Sequence, residues 1–251
     1  MVGKAAAVNV FATPYEVWTR RRTTTEEMLD LHKNKGLSLI EAFEVKDKLT
    51  EVVSTHTEAA IRMLRVGADN GLERHIDNAL DTSAEYRDLR DLMPPDVPEA
   101  LSSYQGEFSE DNLPLADEAI KAHGVEIAEG QFLFHGGHWP GDRSSFNTSR
   151  PFSTSFCPQV ALRNAEWKGK AYDAGRVDLM VVRVTQPKTK AYAYSREGNH
   201  GNEKEVVFAS GAQLTRVRET HIVNITAYKI TSDLQQKKKT VPAYLVEVEV
   251  S

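Results

Sequence analysis

From about Val125 onward the chain is a succession of short β-branched runs, and one helical segment interrupts them. The runs are Gln131-Phe132-Leu133-Phe134, Pro151–Phe156, Val177–Val184, Glu205–Phe208, Leu214–Val217, Ile222–Ile230 and Tyr244–Val250. β-Branched and aromatic residues at this density read as strands of a half-buried sheet. The single helix near Pro158–Trp167 cannot supply the repeated crossovers of a parallel βαβ array. The expected class is therefore α+β, with a mixed, mainly antiparallel sheet.

The first hundred residues read differently. Thr13-Pro14-Tyr15-Glu16 suits a helix start, and Thr24 with Glu27 and Ser38 with Glu41 are capping-box pairs. After Ser38, Ile40, Phe43, Leu49, Val52, Val53, Ala60, Met63 and Leu64 recur at mostly helical spacing, ending at Gly67. A further helix is expected over Leu72–Leu92, stopped by Pro94-Pro95. Pro94–Asn112 reads as a linker, and Leu115–His123 as a short helix closed by Gly124. The expected division is a helical N-terminal region, 1–112, before a sheet domain, 113–251.

The chain has 251 residues, long enough to bury a core of ordinary size without a metal or disulfide staple. One cysteine, Cys157, excludes an internal disulfide and cysteine-rich zinc sites. A formal charge of −5 lacks the electrostatic footprint of a nonspecific nucleic-acid binder. No run approaches a membrane span, and Met1-Val2-Gly3-Lys4 does not read as an export signal, so a cytoplasmic setting is expected.

Three patterns carry possible chemistry. Phe134-His135-Gly136-Gly137 follows an apolar strand, and its glycines allow close approach to backbone. In Ser153-Thr154-Ser155, alternation puts Ser153 and Ser155 on one face and Thr154 on the other. Glu203-Lys204-Glu205 enters Val206-Val207-Phe208, and alternation gives its carboxylates a common face about 6–7 Å apart along the strand. Singly, these are equally a turn, a solvated hydroxyl face and a charged strand edge that deters aggregation. His135-x-x-His138 lacks a nearby carboxylate to complete a metal set, so no metal is expected. Arg20-Arg21-Arg22 reads as a solvated helix face, and Lys237-Lys238-Lys239 as a polar connection between the last two strands.

In order and spacing, the three patterns together resemble the mono-ADP-ribosyltransferase superfamily, in its toxin-like Arg, Ser-Thr-Ser, Glu-x-Glu branch. The resemblance runs over roughly Phe132–Arg218, about a third of the chain. Ser153-Thr154-Ser155 matches the Ser-Thr-Ser strand and Glu203-Lys204-Glu205 the Glu-x-Glu strand. His135 stands where this branch has Arg; other branches of the superfamily, which carry Tyr in place of Ser-Thr-Ser, have His there.

The resemblance implies an ADP-ribosyltransferase core with NAD as co-substrate and no metal. Glu205 would stabilise positive charge developing on the ribose as nicotinamide leaves. Ser153 would orient Glu205, Gly136 would hold the nicotinamide amide, and His135 would meet the adenosine ribose or a phosphate. Thr154 and Ser155 would complete the NAD-binding strand. Tyr192 or Tyr194, beside a substrate-recognition loop near Ser195–Asn202, would stack on the target. Glu203 goes with arginine acceptors, since a guanidinium stays protonated at cellular pH and needs a base to attack. The expected activity is NAD-dependent mono-ADP-ribosylation of an exposed arginine on a target protein, a glycosyltransferase reaction. The resemblance places it in a host cytoplasm, after delivery of a toxin or effector or during bacteriophage infection. An NAD glycohydrolase and a catalytically silent binding module are the alternatives.

Overall fold

A computed structural model describes residues 6–106, 109–198 and 200–251; the reading of Met1–Lys4 lies outside them. In chain order the elements are β1 (Tyr15–Arg22), α1 (Thr25–Lys35), β2 (Glu44–Val53), α2 (His56–Val66), α3 (Asn70–Thr82), α4 (Ala84–Asp91), α5 (Glu99–Gly106) and α6 (Leu113–His123). Then follow β3 (Val125–Glu126), β4 (Phe132–Gly137), β5 (Ser145–Asn147), β6 (Phe152–Ser155), α7 (Pro158–Glu166), α8 (Lys170–Ala174) and β7 (Val177–Val184). The last are β8 (Lys190–Ala193), β9 (Glu205–Phe208), β10 (Gln213–Ile230) and β11 (Gln236–Val250).

The chain forms two compact units, 11–55 and the remainder. The smaller is an antiparallel β1–β2 pair with α1 between its strands in sequence. Thr24 and Glu27 close the expected capping box on α1. Other expectations here fail. Thr13-Pro14 opens strand β1, so Arg20-Arg21-Arg22 lie on a strand rather than a helix face; Arg21 forks onto Glu27 at 2.7 and 2.8 Å. Ser38 and Glu41 make their reciprocal bonds, yet only a single 3₁₀ turn follows, over Glu41–Phe43. The run beyond it becomes β2, because the ladder from Tyr15↔Val53 to Arg22↔Glu44 outweighs its local helical spacing.

The larger unit is α+β, as expected. Its sheet has the order β3-β8-β9-β6-β4-β7-β11-β10-β5. Only β7 and β11 pair in parallel; the other neighbours are antiparallel. Strand β7 is buried at seven of eight positions, as a central strand requires. Helices α2 and α7 pack on it, and α7 also covers β4.

The helices from α2 to α6 belong to this same unit, so no unit boundary falls at residue 112. The helix expected over 72–92 is two, because Ser83 leaves helical geometry and caps α4 through Tyr86 N–H at 3.1 Å. The expected linker 94–112 contains α5, which gains importance below. The runs 214–217 and 222–230 are one strand, β10, kinked by irregularities after Arg216 and His221. Lys237-Lys238-Lys239 are not a connection: they lie within β11, opposite Lys229, Tyr228 and Ala227.

Candidate active site

Strands β6 and β9 pair with Ser155 opposite Glu205 and Ser153 opposite Val207. This register makes Ser153 the diagonal neighbour of Glu205 on one face. The Ser153 Oγ donates to Glu205 Oε1. The other two hydroxyls are committed to backbone. Thr154 donates to Val206 O at 2.6 Å, and Ser155 donates to Glu203 O at 2.6 Å while accepting from Cys157 N–H at 3.0 Å. Both residues are buried. Both hydroxyl protons are thus used to tie β6 to the β9 segment.

Glu205 is 8% exposed. Burial pushes its carboxyl up to about 7, helped by the charge of Glu203 and opposed by hydrogen bonds from Ser153 and Gln105. Glu203 does not share its strand. It ends a 3₁₀ turn over Gly201–Glu203, and Lys204 follows with φ +50° before β9 begins. The expected strand alternation of the two carboxylates is therefore replaced by a turn. Glu203 remains partly exposed, 3.7 Å from His200 Nδ1. Burial raises its carboxyl too, with His200 opposing.

Lys204, between the glutamates, is buried and bridges to helix α3, 3.4 Å from Glu73 and 3.2 Å from Asp77. Arg196 reaches Asp77 at 2.8 Å and Asp81 at 2.5 Å. Glu73, Asp77 and Asp81 fall at four-residue intervals, so one helix face holds both ends of the segment between β8 and β9. Asn199 of that segment lies outside the described residues.

His135 stands at a split in the sheet. Strand β4 pairs with β7 from Phe132 to Gly137, but with β6 only at Phe134↔Ser155. Beyond that rung the His135 side chain crosses the gap, its Nδ1 2.6 Å from Ser153 O and its ring 4.5 Å from Phe152. A carbonyl only accepts, so Nδ1 carries the proton and Nε2 presents a lone pair. Burial lowers the imidazole to about 4, further aided by the cations Lys170 and Arg150, so the ring is neutral near pH 7. The two glycines that follow have distinct reasons. A Cβ on Gly136 would lie 1.6 Å from Ala161 O of α7, and one on Gly137 would lie 2.8 Å from His135 Nε2.

Tyr192 and Tyr194, expected to stack on a target, lie inside the fold, at 0% and 2% exposure. Tyr194 instead donates its hydroxyl to Leu101 O at 3.0 Å and its N–H to Glu205 O at 3.0 Å. Gln105 was not legible as a site residue: its Nε2 lies 3.2 Å from Glu205 Oε2. It is a lone amide in a stretch that reads as linker. His138 faces the buried Asp178 at 3.6 Å, and Asp178 also accepts the Trp139 N–H at 2.7 Å.

No protein-family profile matches the chain, and no curated protein sequence matches it. Structurally similar chains are ADP-ribosyltransferase toxins. The enzymatic component C2-I of the Clostridium botulinum C2 toxin is 9% identical, with a TM-score of 0.38 over 65% of this chain and 45% of that one. Vis toxin, an ADP-ribosyltransferase from Vibrio splendidus, is 12% identical, with a TM-score of 0.31 over 92% of this chain and 88% of that one. BECa of C. perfringens, an ADP-ribosylating toxin solved with NADH, is 12% identical, with a TM-score of 0.31 over 84% and 53% respectively. The chain thus spans less than half the length of C2-I. At these identities and TM-scores the likeness assigns no activity to the chain.

Proposed function

We propose that the chain is an NAD-dependent mono-ADP-ribosyltransferase that modifies arginine on a target protein and releases nicotinamide. The observation that carries the reading is the buried Glu205 carboxylate, held by the Ser153 hydroxyl and neighboured by a second carboxylate, Glu203. A fixed anion in a water-poor pocket stabilises a sugar carbon that becomes positive as a neutral base departs.

The remaining residues suit NAD as substrate. The neutral His135 offers Nε2 as an acceptor for a ribose hydroxyl. The edge of Gly136 toward β6 lies beyond the single rung, where backbone groups can meet an amide. Arg150 and Lys170, close enough to depress the His135 imidazole, match the charge of a pyrophosphate. Glu203, partly exposed and shifted upward, is suited to take a proton from an incoming guanidinium. The reading implies action in a host cytoplasm, by a delivered effector or during phage infection.

A second reading, NAD glycohydrolase, is favoured by the turn that takes Glu203 out of strand register and leaves it open to water. Incubation with adenylate-labelled NAD and an arginine-containing acceptor separates the two. Label on the acceptor supports the transferase, and free ADP-ribose alone supports the hydrolase. Glu205→Gln should lower nicotinamide release by on the order of 10²–10³ in either case. Wild-type protein that releases no nicotinamide overturns both.

A further inference from the structure

Helix α5 and strand β9 are joined by a closed circuit of hydrogen bonds. Tyr194 donates its N–H to the backbone of Glu205 and its hydroxyl to Leu101 O, each at 3.0 Å. One helical turn after Leu101, on the same face, Gln105 donates from Nε2 to Glu205 Oε2 at 3.2 Å. Leu101 itself is fully buried, which seats the helix. The carboxylate of Glu205 is thereby held at both oxygens: Oε1 by Ser153 and Oε2 by Gln105.

We propose that Gln105 is a positioning residue for Glu205: its amide holds Oε2 in the free protein, keeps the carboxylate aimed, favours its charged form over the protonated one, and yields that oxygen to the ribose hydroxyl when NAD enters. The inference rests on the transferase reading for the ribose, but the Gln105–Glu205 relationship is testable without it. A carboxylate with one hydrogen-bonded oxygen in an apolar pocket can rotate and protonate; a donor on the second oxygen opposes both. The amide is neutral and donates without bringing a competing charge. That distinguishes it from a lysine or arginine, which would cancel the negative field the reaction needs.

The other titratable groups facing Glu205 are few. Glu203 raises it. Tyr104 of α5 and Tyr194, just after β8, both feel its charge, and burial keeps both phenols protonated, Tyr104 being pushed up to about 12. Arg150 acts on Tyr104 from the opposite sign. Glu203 is itself raised by burial, with His200 opposing.

The experiment is a carbon-13 titration of the full chain carrying labelled glutamate side-chain carboxyls, with the Glu205 signal assigned by its loss in Glu205→Gln. Gln105→Met keeps length and volume but removes the donor. The expected result is a rise of roughly half to one pH unit in the Glu205 midpoint. Gln105→Glu should raise it further, because two adjacent carboxyls then share one proton. The acid limb of nicotinamide release should move by the same amount as the carboxyl. A Gln105→Met midpoint equal to wild type overturns the proposal. If that variant does not fold by circular dichroism, Tyr194→Phe decides. It loosens α5 and leaves both glutamates in place, so an upward shift supports the role and an unchanged midpoint removes it. Wild-type protein without NAD turnover would overturn the transferase reading, while the titration would still decide the role of Gln105.

Discussion

The Lys204 ammonium lies 3.2 Å from Asp77, so the residue between the two glutamates is anchored to helix α3 rather than to the cleft. Its left-handed backbone, φ +50°, directs Glu203 out of the strand and starts β9 at Glu205. Lys204→Met should lower the free energy of unfolding by about 1–3 kcal/mol, less than for a fully buried pair, since Glu73 and Asp77 keep some solvent. Urea denaturation measures this. A midpoint equal to wild type would reduce the Lys204 contacts to incidental ones.

Glu203→Gln should abolish arginine labelling and retain much of the NAD hydrolysis, because water needs less help than a guanidinium against a positive sugar carbon. Removing its charge should also lower the Glu205 midpoint, the reverse of the Gln105 effect. Nicotinamide release and acceptor labelling, followed in parallel across pH, test both. Labelling that survives removes the main support for an arginine acceptor.

Gly136→Ala brings a methyl to within 1.6 Å of the Ala161 carbonyl, which is backbone and cannot swing aside. Overpacking of this kind costs about 1–3 kcal/mol or more, as α7 and β4 must separate. Thermal unfolding should show a clear drop. A variant as stable as wild type would mean that α7 sits further from β4 than described.

Acid should destabilise the protein through His56. Its ring is buried against Phe132, centroids 4.8 Å apart, and burial lowers it from 6.5 to about 4. Between those values the unfolded chain binds a proton that the folded chain refuses, so stability falls as pH falls. The loss by pH 4 is on the order of 3 kcal/mol from this group. Glu205 works oppositely: its folded value near 7 exceeds the ordinary 4.5, so it adds stability as pH falls from 7 to 4.5. His56→Phe, which keeps the ring stack, should flatten the acid side of a stability–pH curve. An unchanged slope would assign the acid sensitivity elsewhere.

Legibility followed burial. Strands β7 and β9 emerged at the residues expected, because continuous apolar runs have one reading when both faces are covered. β2 did not, because Leu49, Val52 and Val53 fit helical and extended patterns alike, and only pairing with distant β1 decides. In the candidate site, Ser153 and Glu205 stand out in the sequence only through the order and spacing of three patterns, and the β6–β9 register brings the two side chains together. Gln105 carries no such mark, and its contact with Glu205 exists only because α5 is held by Tyr194 through Leu101 O. Tyr192 and Tyr194 show the converse: an aromatic near a loop looks available in the sequence, whereas both side chains lie buried in the fold.

The single rung Phe134↔Ser155 divides the ladder of the nine-stranded sheet into β3-β8-β9-β6 and β4-β7-β11-β10-β5, linked there, by the His135 ring and by α7, which packs on both β4 and β6. Such a seam has little stiffness of its own, since interstrand bonds resist opening only where they are made. A dinucleotide lying along it, bonded to Gly136 on one side and Glu205 on the other, would act as a strut completing the span. Substrate binding would then appear as slowed amide exchange in strands on both sides of the seam, and the rigidity of the sheet would belong in part to its substrate.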